Sequence, residues 1–326
     1  MKNQAVPEQM SNVINRRKFV SSSALSLAGF MLADKASGSN ISDSHSIASE
    51  SGNVRPYDLM KDVMRYRKID SHVHSDLYDG PPENNIAFMD RLGIEKMFIS
   101  RPITSGEGTP KDFRLYNDLI LTAMRKYPDR LTGQFTVNVQ YKKECLEEIQ
   151  RRVDQGMVGL KVYTQVKIND PLFYPVVEKM IDLKMIIHMH SHCQLGVGGY
   201  RMKYDSGIRP NTSIPEDFAD IAKRYPEAMF QYAHIGGGGD YEYACKMFAN
   251  LDNIYVDTSG SNNPEGMVDF AVQQLGEDRV FFGSDNCYYQ SVGKILASDL
   301  TENQRKKVFF ENYNNILKKS GNSILP

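Results

Sequence analysis

The chain has 326 residues, and 39 Lys and Arg residues against 40 Asp and Glu residues give a formal net charge of -1. This balance argues against a nucleic-acid partner, which would require a basic surface. Hydrophobic residues make up 41% of the chain, which excludes a largely disordered protein. The four cysteines form no C-x-x-C pair, so neither a zinc knuckle nor a disulfide scaffold is indicated.

Residues 1–56 are predicted to be an export signal and linker outside the folded domain. The pair Arg16-Arg17 precedes a weakly apolar run from Ser21 to Ala33, and this arrangement is typical of a twin-arginine signal. The run is shorter than the roughly 20 residues that a membrane span needs. We therefore expect a periplasmic protein without a stable membrane span. An uncleaved, membrane-anchored form and a disordered basic tail are the alternatives.

From residue 57 to residue 326, short β-rich runs alternate with helical patterns in eight pairs. The predicted strands are 68–72, 96–100, 131–138, 158–163, 185–190, 229–234, 254–257 and 279–284. The predicted helices are 81–92, 111–126, 142–154, 171–183, 213–226, 240–249, 264–275 and 301–319. Apolar strands separated by helices predict a parallel sheet covered by helices. Because eight units close a barrel, we expect one catalytic domain folded as a (β/α)8 TIM barrel, with an open doubly wound sheet as the alternative.

Most histidines follow the predicted strands, where the active site of a barrel lies. Six of the seven occupy such positions, and Asp285 follows strand 8. The six are His72, His74, His188, His190, His192 and His234. Imidazole nitrogen and carboxylate oxygen are ligands that zinc prefers. The sequence therefore predicts a metal site of His72, His74, one strand 5 histidine and Asp285. A zinc-bound water there would have its pKa lowered to about 7. Asp285 would accept its proton, and His234 would serve as an acid or base or stabilise an oxyanion.

Two positions leave alternatives open. In strand 5, His188 and His190 lie on the same face, so either could be the ligand. Lys161 in strand 4 could bind substrate charge as an ammonium group or form a structural ion pair, because a buried lysine needs a partner. The family resemblance described below adds a third alternative, a carboxylated lysine that bridges two metal ions.

Charged and aromatic residues near the predicted barrel mouth indicate a small, anionic substrate. Arg101 follows strand 2 and could bind a carboxylate through two hydrogen bonds. Arg201 lies in a long basic loop after strand 5, and Tyr163 and His190 complete the predicted substrate-binding set. An ordinary loop arginine and a solvated cluster of charges are the alternatives.

Five motifs, in this order, resemble the amidohydrolase superfamily, in particular the branch called amidohydrolase family 2. They are DSHVH, GLKVY, MIIHMH, YAHIGG and FFGSDN, within a stretch from about Tyr66 to Leu317. The resemblance implies a barrel enzyme with His72, His74, His188 and Asp285 at one metal ion, or at two if Lys161 is carboxylated. It also implies that His234 is the second catalytic group.

Three functions follow as hypotheses. The first is a metal-dependent hydrolase that cleaves a small amide, ester or lactone by metal-activated water. The alternative is a metal-dependent nonoxidative decarboxylase of an aromatic or unsaturated carboxylic acid, because the resembling branch also contains such enzymes. The third is an exported binding protein without activity, which would need neither Asp285 nor His234. Formation of a homo-oligomer is left open.

Overall fold

The structure is a computed structural model in which five stretches of the chain are described. They are residues 58–75, 80–192, 211–237, 240–260 and 264–324.

Two parts of the sequence prediction lie outside the described residues. These are the export signal within residues 1–56 and the loop residue Arg201. The signal, the periplasmic location, the domain boundary at residue 56 and the role of Arg201 stay predictions. Within the described stretches, no helix is both long enough and apolar enough to cross a membrane.

Eight parallel strands form the centre of the fold. They are β1 (Ile69–His74), β2 (Lys96–Ser100), β3 (Leu131–Gly133), β4 (Leu160–Val162), β5 (Ile186–Met189), β6 (Met229–Tyr232), β7 (Ile254–Asp257) and β8 (Val280–Phe281). Each predicted strand is present at the expected place. The ladders run in sequence order from β1 to β3 and from β4 to β8, and every pair is parallel.

Backbone hydrogen bonds join the two sets of strands into a barrel. Between β3 and β4, the Phe135 N–H donates to Gly159 O at 3.0 Å and the Lys161 N–H donates to Phe135 O at 2.9 Å. Between β8 and β1, the Ser71 N–H donates to Phe282 O at 3.0 Å. The sheet therefore closes on itself, as in a (β/α)8 barrel, and the predicted fold class is confirmed.

Helices cover the outside of the barrel. They are α1 (Leu59–Arg65), α2 (Pro82–Leu92), α3 (Pro110–Lys126), α4 (Lys142–Asp154), α5 (Tyr174–Asp182), α6 (Pro215–Arg224), α7 (Tyr241–Phe248), α8 (Met267–Leu275), α9 (Tyr288–Ala297), α10 (Glu302–Lys306) and α11 (Asn312–Lys319). A 3-10 turn (Pro171–Phe173) precedes α5, and a π-helical segment (Lys307–Glu311) joins α10 to α11.

The sequence did not predict α1 or α9, and it wrongly predicted one regular closing helix. In α1 only Val63 is buried, while Leu59, Met60 and Met64 are about half exposed, so no apolar face marks the helix. The closing helix is interrupted at three consecutive buried residues, 308–310. A regular α-helix turns consecutive side chains to different directions, and the widened turn accommodates all three.

The predicted strand 3 is shorter in the structure. Beyond Gly133, the side chain of Asn117 forms backbone hydrogen bonds that a neighbouring strand would otherwise form. Asn117 of α3 accepts from the Thr136 N–H at 2.8 Å and donates to Thr136 O at 2.9 Å. These two bonds satisfy the backbone that a continued ladder would have paired. Residues 134–139 consequently follow β3 as buried, irregular backbone that leads towards the barrel mouth.

Candidate metal centre

Strand β1 brings two histidines to the carboxyl end of the barrel. A register shift between Asp70 and Val73 interrupts its ladder with β2. The Nε2 atoms of His72 and His74 lie 3.4 and 3.1 Å from Asp285 Oδ1. The i, i+2 spacing therefore delivers both imidazoles to one carboxylate, as strand alternation predicts.

Asp285 is held in place by hydrogen bonds between the turn after β8 and the end of β1. The Asp285 N–H donates to His72 O at 2.8 Å. The Asn286 side chain accepts from the His74 N–H at 2.7 Å and donates to His74 O at 2.9 Å. Asp285 and Asn286 have φ values of 47° and 65°. This left-handed backbone is uncommon for residues other than glycine and clusters at functional sites.

The neighbouring strands β4 and β5 add Lys161 and His188, which are paired in register. Lys161 Nζ lies 2.9 Å from His72 Nε2 and 3.1 Å from His188 Nε2. All three side chains are buried. Burial lowers the pKa of Lys161 to about 8, although Asp285 and Asp257 favour its charged form. The lysine therefore occupies the space between two imidazole nitrogens.

Partners at Nδ1 determine which nitrogen of His72 and His74 carries a proton. His72 Nδ1 lies 3.2 Å from Asp257 Oδ2, a carboxylate oxygen that can only accept. His74 Nδ1 lies 3.1 Å from Ser100 Oγ. The Ser100 hydroxyl donates to Val73 O at 3.4 Å, so its oxygen can accept from the imidazole. These partners allow both Nδ1 atoms to donate while a bound cation takes the Nε2 lone pairs.

The His188 ring follows the same pattern. Its Nδ1 lies 3.1 Å from Gln134 Oε1, an amide acceptor. Its Nε2 lies 3.3 Å from Asp257 Oδ2, which can only accept, and 3.1 Å from Lys161 Nζ, which can donate. The Nε2 atoms of three imidazoles thus lie beside carboxylate oxygens, and imidazole nitrogen with carboxylate oxygen is the donor set of a divalent metal site.

Asp257, the last residue of β7, was missing from the sequence-based site. It is fully buried, and besides His72 it accepts from Gln231 Nε2 at 3.0 Å, from the His234 N–H at 3.2 Å and from Ser259 Oγ at 2.5 Å. Its position at the carboxyl end of a predicted strand was the available signal. Its side chain packs closely against Gly283, where an added Cβ would lie 2.9 Å from Asp257 Cβ.

His234 follows β6, and its side chain lies next to Asp285 of the same centre. Its φ is 58°, and its Nε2 lies 3.7 Å from Asp285 Oδ2. Its ring stacks on His72 with centroids 5.3 Å apart and meets His190 edge-on at 4.6 Å. The His190 ring in turn lies 4.0 Å from the ring of Tyr163. These aromatic side chains form one wall beside the metal centre.

Burial and charge set the protonation of the centre. Burial lowers the pKa of His234 to about 3 and also lowers the pKa values of His72 and His188. Burial alone would raise the pKa values of Asp257 and Asp285, but the neighbouring histidines hold both well below the usual range. Neutral imidazoles beside ionised carboxylates are the form in which these groups bind a divalent cation.

The predicted residues Arg101 and His192 belong to neither potential metal-ligand group of the described residues. Arg101 is half-buried directly after Ser100, and its guanidinium lies over the Tyr116 ring at 4.8 Å. Its Nε atom is buried and has no hydrogen-bond partner among the described residues. His192 is exposed. The structure places His188 beside Lys161 and Asp257, and His190 in the aromatic wall. Which of the two is a metal ligand stays a prediction.

Comparison with known proteins agrees with a metal-binding barrel. A family model described as amidohydrolase matches residues 69–312, the stretch that contains all eight strands. The chain belongs to the amidohydrolase family. The predicted membership of the family 2 branch is confirmed, and the protein is a metal-dependent enzyme. None of the curated protein sequences compared with the chain matches it.

Several solved structures share the fold of this amidohydrolase at low sequence identity. A 2,6-dihydroxybenzoate decarboxylase from Rhizobium has 18% identity and a TM-score of 0.62, covering 78% of this chain and 100% of its own. A 5-carboxyvanillate decarboxylase from Novosphingobium aromaticivorans, complexed with manganese, has 18% identity and a TM-score of 0.61 over 78% and 96% of the chains. A 4-oxalomesaconate hydratase from Rhodopseudomonas palustris has 18% identity and a TM-score of 0.61 over 77% and 96%.

A divalent metal cofactor agrees with both the family and the donor set. Two ligand groups emerge in the described part of the chain. The outer one combines His72 and His234 with Asp285, and the inner one combines His72 and His188 with Asp257. The expectation of a divalent metal is supported, whereas the choice of zinc stays a prediction.

Proposed function

We propose that this enzyme is a divalent-metal-dependent nonoxidative decarboxylase of a small aromatic or unsaturated carboxylic acid. The observation that carries the proposal is the aromatic wall beside the metal centre, formed by Tyr163, His190 and His234. Aromatic side chains contact flat rings through offset or edge-to-face packing. Such a wall suits a planar substrate that extends from the metal centre.

The similar structures support decarboxylation rather than hydrolysis. The decarboxylases among them are named for 2,6-dihydroxybenzoate and 5-carboxyvanillate, which are planar aromatic acids. Hydrolysis by the same metal centre was the first hypothesis from the sequence. It uses the same Asp285 and His234, but it gives no particular role to a planar aromatic wall. The alternative from the sequence therefore becomes the main proposal.

Substrate binding requires positive charge that meets an anionic acid. When bound, a divalent cation supplies a Lewis acid that holds the substrate's oxygens and draws electron density from it. From the chain itself, Arg101 offers a guanidinium whose buried Nε lacks a partner among the described residues. A buried donor without a partner is costly unless a ligand satisfies it. We propose that a substrate oxygen is its partner.

Nonoxidative decarboxylation breaks the bond between the substrate carbon and its carboxyl group, and a proton replaces the CO2 that leaves. The electron pair of the broken bond stays on the carbon and takes up that proton. Asp285 Oδ2 and His234 Nε2, 3.7 Å apart, are the groups that can hold and pass it. The ring of His234 is fixed by its contacts with His72 and His190, so its Nε2 keeps a constant position next to the carboxylate.

The resident metal is proposed to be manganese, because two 5-carboxyvanillate decarboxylase structures of this fold contain it. Zinc remains the alternative from the sequence. Reconstitution of chelator-treated protein with each ion separately, followed by the assay below, distinguishes them.

The test is turnover in D2O with a panel of hydroxybenzoates and unsaturated acids, using protein purified without chelators. We expect CO2 release and a product that carries one deuterium on the carbon that lost its carboxyl group. An amide, ester and lactone panel is run in parallel under the same conditions. Hydrolysis of that second panel without CO2 release from the first would overturn the proposal.

A further inference from the structure

One buried hydrogen-bond chain connects the closing helix of the barrel to the metal centre. It runs from Tyr313 of α11 to Gln134, the residue after β3, and from there to His188 of β5. All three side chains are buried. None of the sequence patterns pointed to Gln134 or Tyr313, because neither residue type suggests metal binding or catalysis.

The orientation of the Gln134 amide follows from its other contacts. Its Nε2 lies 3.0 Å from Tyr313 Oη and 3.5 Å from Ser71 O. A backbone carbonyl can only accept, so the NH2 group faces Ser71 and the amide oxygen faces the imidazole. Gln134 Oε1 therefore accepts a hydrogen bond from His188 Nδ1 at 3.1 Å.

Tyr313 is itself held firmly. Its ring packs edge-on against Phe98 and Phe281 with centroids 4.8 and 5.2 Å apart. The backbone of Gln134 is also anchored, because its N–H donates to Ile99 O at 2.8 Å. A donor and an acceptor fixed in this way leave the amide a single favourable orientation.

We propose that Gln134, with Tyr313 behind it, is a positioning residue that holds His188 in the Nδ1-protonated tautomer, so that Nε2 stays free for the divalent cation. The inference rests on the proposed role of His188 as a metal ligand. Partners of this kind fix ring orientation and ligand basicity at metal sites, and their loss typically lowers metal affinity about 10–100-fold.

The tautomer can be read directly by long-range nitrogen-proton NMR of the metal-free, full-length protein labelled at histidine. We expect His188 to be protonated at Nδ1 in the wild type. Protonation at Nε2 would overturn the proposal without any variant. This reading does not depend on the reaction, so it stands even if the proposed decarboxylation fails.

Three variants then test the effect on the metal, measured as the manganese dissociation constant by competition with a chromogenic chelator. Gln134→Leu removes the acceptor and should weaken binding about 10–100-fold. Gln134→Glu restores an acceptor and should bind within a few-fold of the wild type. Tyr313→Phe keeps the acceptor but frees the amide, and its effect should lie between these two.

The matched control is Gln150→Leu, the same change at an exposed position of α4. It should alter neither the tautomer nor the dissociation constant. Unchanged manganese affinity in Gln134→Leu, or no recovery in Gln134→Glu, would contradict a positioning role. If Gln134→Leu does not fold, the wild-type tautomer and the Gln134→Glu variant still decide the question.

Discussion

Two buried lysines at opposite ends of the barrel show why burial alone does not identify a functional site. Lys68 precedes β1 and Lys161 lies in β4. Both are fully buried, and burial lowers the pKa of each to about 8. Their partners differ. Lys68 Nζ donates to Val63 O and Tyr66 O, whereas Lys161 Nζ contacts the Nε2 atoms of His72 and His188.

The chemistry of these partners separates structure from function. The last carbonyl groups of a helix have no partner within the helix, so Lys68 serves as a cap that satisfies the end of α1. An imidazole Nε2 lone pair is what a metal ion uses. Lys161 therefore competes with the metal for the same atoms, and the two ends of the barrel should respond differently to the same substitution.

The largest expected effect is at Asp285. Asp285→Asn removes the only carboxylate that lies within 3.5 Å of both β1 histidines among the described residues. Because the centre loses a negative charge as well as a ligand, manganese affinity should fall by at least about 100-fold, and turnover should be lost. Equilibrium dialysis measures the first and CO2 release the second.

The matched control for Asp285 lies at the other end of the same strand. Asp278 precedes β8 and pairs with Lys307 on the surface. Asp278→Asn should leave metal affinity and turnover unchanged, since an exposed ion pair contributes about 0–1 kcal/mol to stability. Equal losses in both variants would show that the effect comes from the fold.

The next largest effect is expected at Asp257, which holds the His72 ring through Nδ1. Asp257→Asn keeps the shape of the side chain but removes its charge. We expect a loss of about 10–100-fold in manganese affinity, as for other partners of ligand histidines. Calorimetric titration of manganese into the chelator-treated variant measures it. A wild-type affinity would contradict the orientation assigned to His72.

Substitution of the two lysines by methionine tests the comparison itself. Lys161→Met removes a competing donor and a positive charge, so manganese should bind more tightly, by about 10-fold or less, with one ion per chain before and after. Two ions in the wild type and one in the variant would instead indicate a carboxylated Lys161. Metal analysis together with intact mass distinguishes these outcomes.

Lys68→Met should affect stability and not the metal. It leaves two carbonyl oxygens without their donor, which costs about 1–3 kcal/mol of unfolding free energy. Urea denaturation of the chelator-treated protein measures this loss. Weaker manganese binding in Lys68→Met would remove the distinction between the two ends.

The smallest expected effect is the acid sensitivity of the metal-free protein. The folded state lowers the pKa of His234 from 6.5 to about 3, and the pKa values of His72, His188 and His190 are lowered as well. Below pH 6.5 these histidines are therefore protonated in the unfolded chain while they remain neutral in the folded chain. The unfolding free energy should fall as the pH decreases through this range, by about 1 kcal/mol at pH 6 for His234, and the other three histidines act in the same direction.

One carboxyl group opposes this trend. The pKa of Asp70 is raised to about 7, chiefly by burial, so its stabilising contribution is present at low pH and is lost as the pH rises. Since four imidazoles act in the opposite sense, the net sign is set by the histidines. Urea titrations between about pH 7 and pH 5 measure it, and stability that increases on acidification would contradict the buried, neutral state of these rings.

The sequence predicted the parts of this enzyme that depend on local periodicity. The alternation of apolar strands with helices was sufficient for the barrel. The polar residues after the strands located the candidate metal centre, whose ligand set stays a prediction. The pairing of Gln134 with His188, and of Lys161 with two imidazoles, depends on which strands become neighbours in space. Such contacts carry no local pattern. Asp257 did end a predicted strand, but its contacts with His72 and His188 appear only in the folded chain.

The central claim is that three imidazoles, each protonated at Nδ1, direct their Nε2 atoms towards one cation beside Asp285. The most direct measurement is an anomalous diffraction map from crystals of the manganese-loaded protein. The account predicts one peak per chain within bonding distance of Nε2 of His72, His74 and His188 and of a carboxylate oxygen of Asp285. A peak held by other side chains, or no peak in protein that has bound manganese in solution, would contradict it.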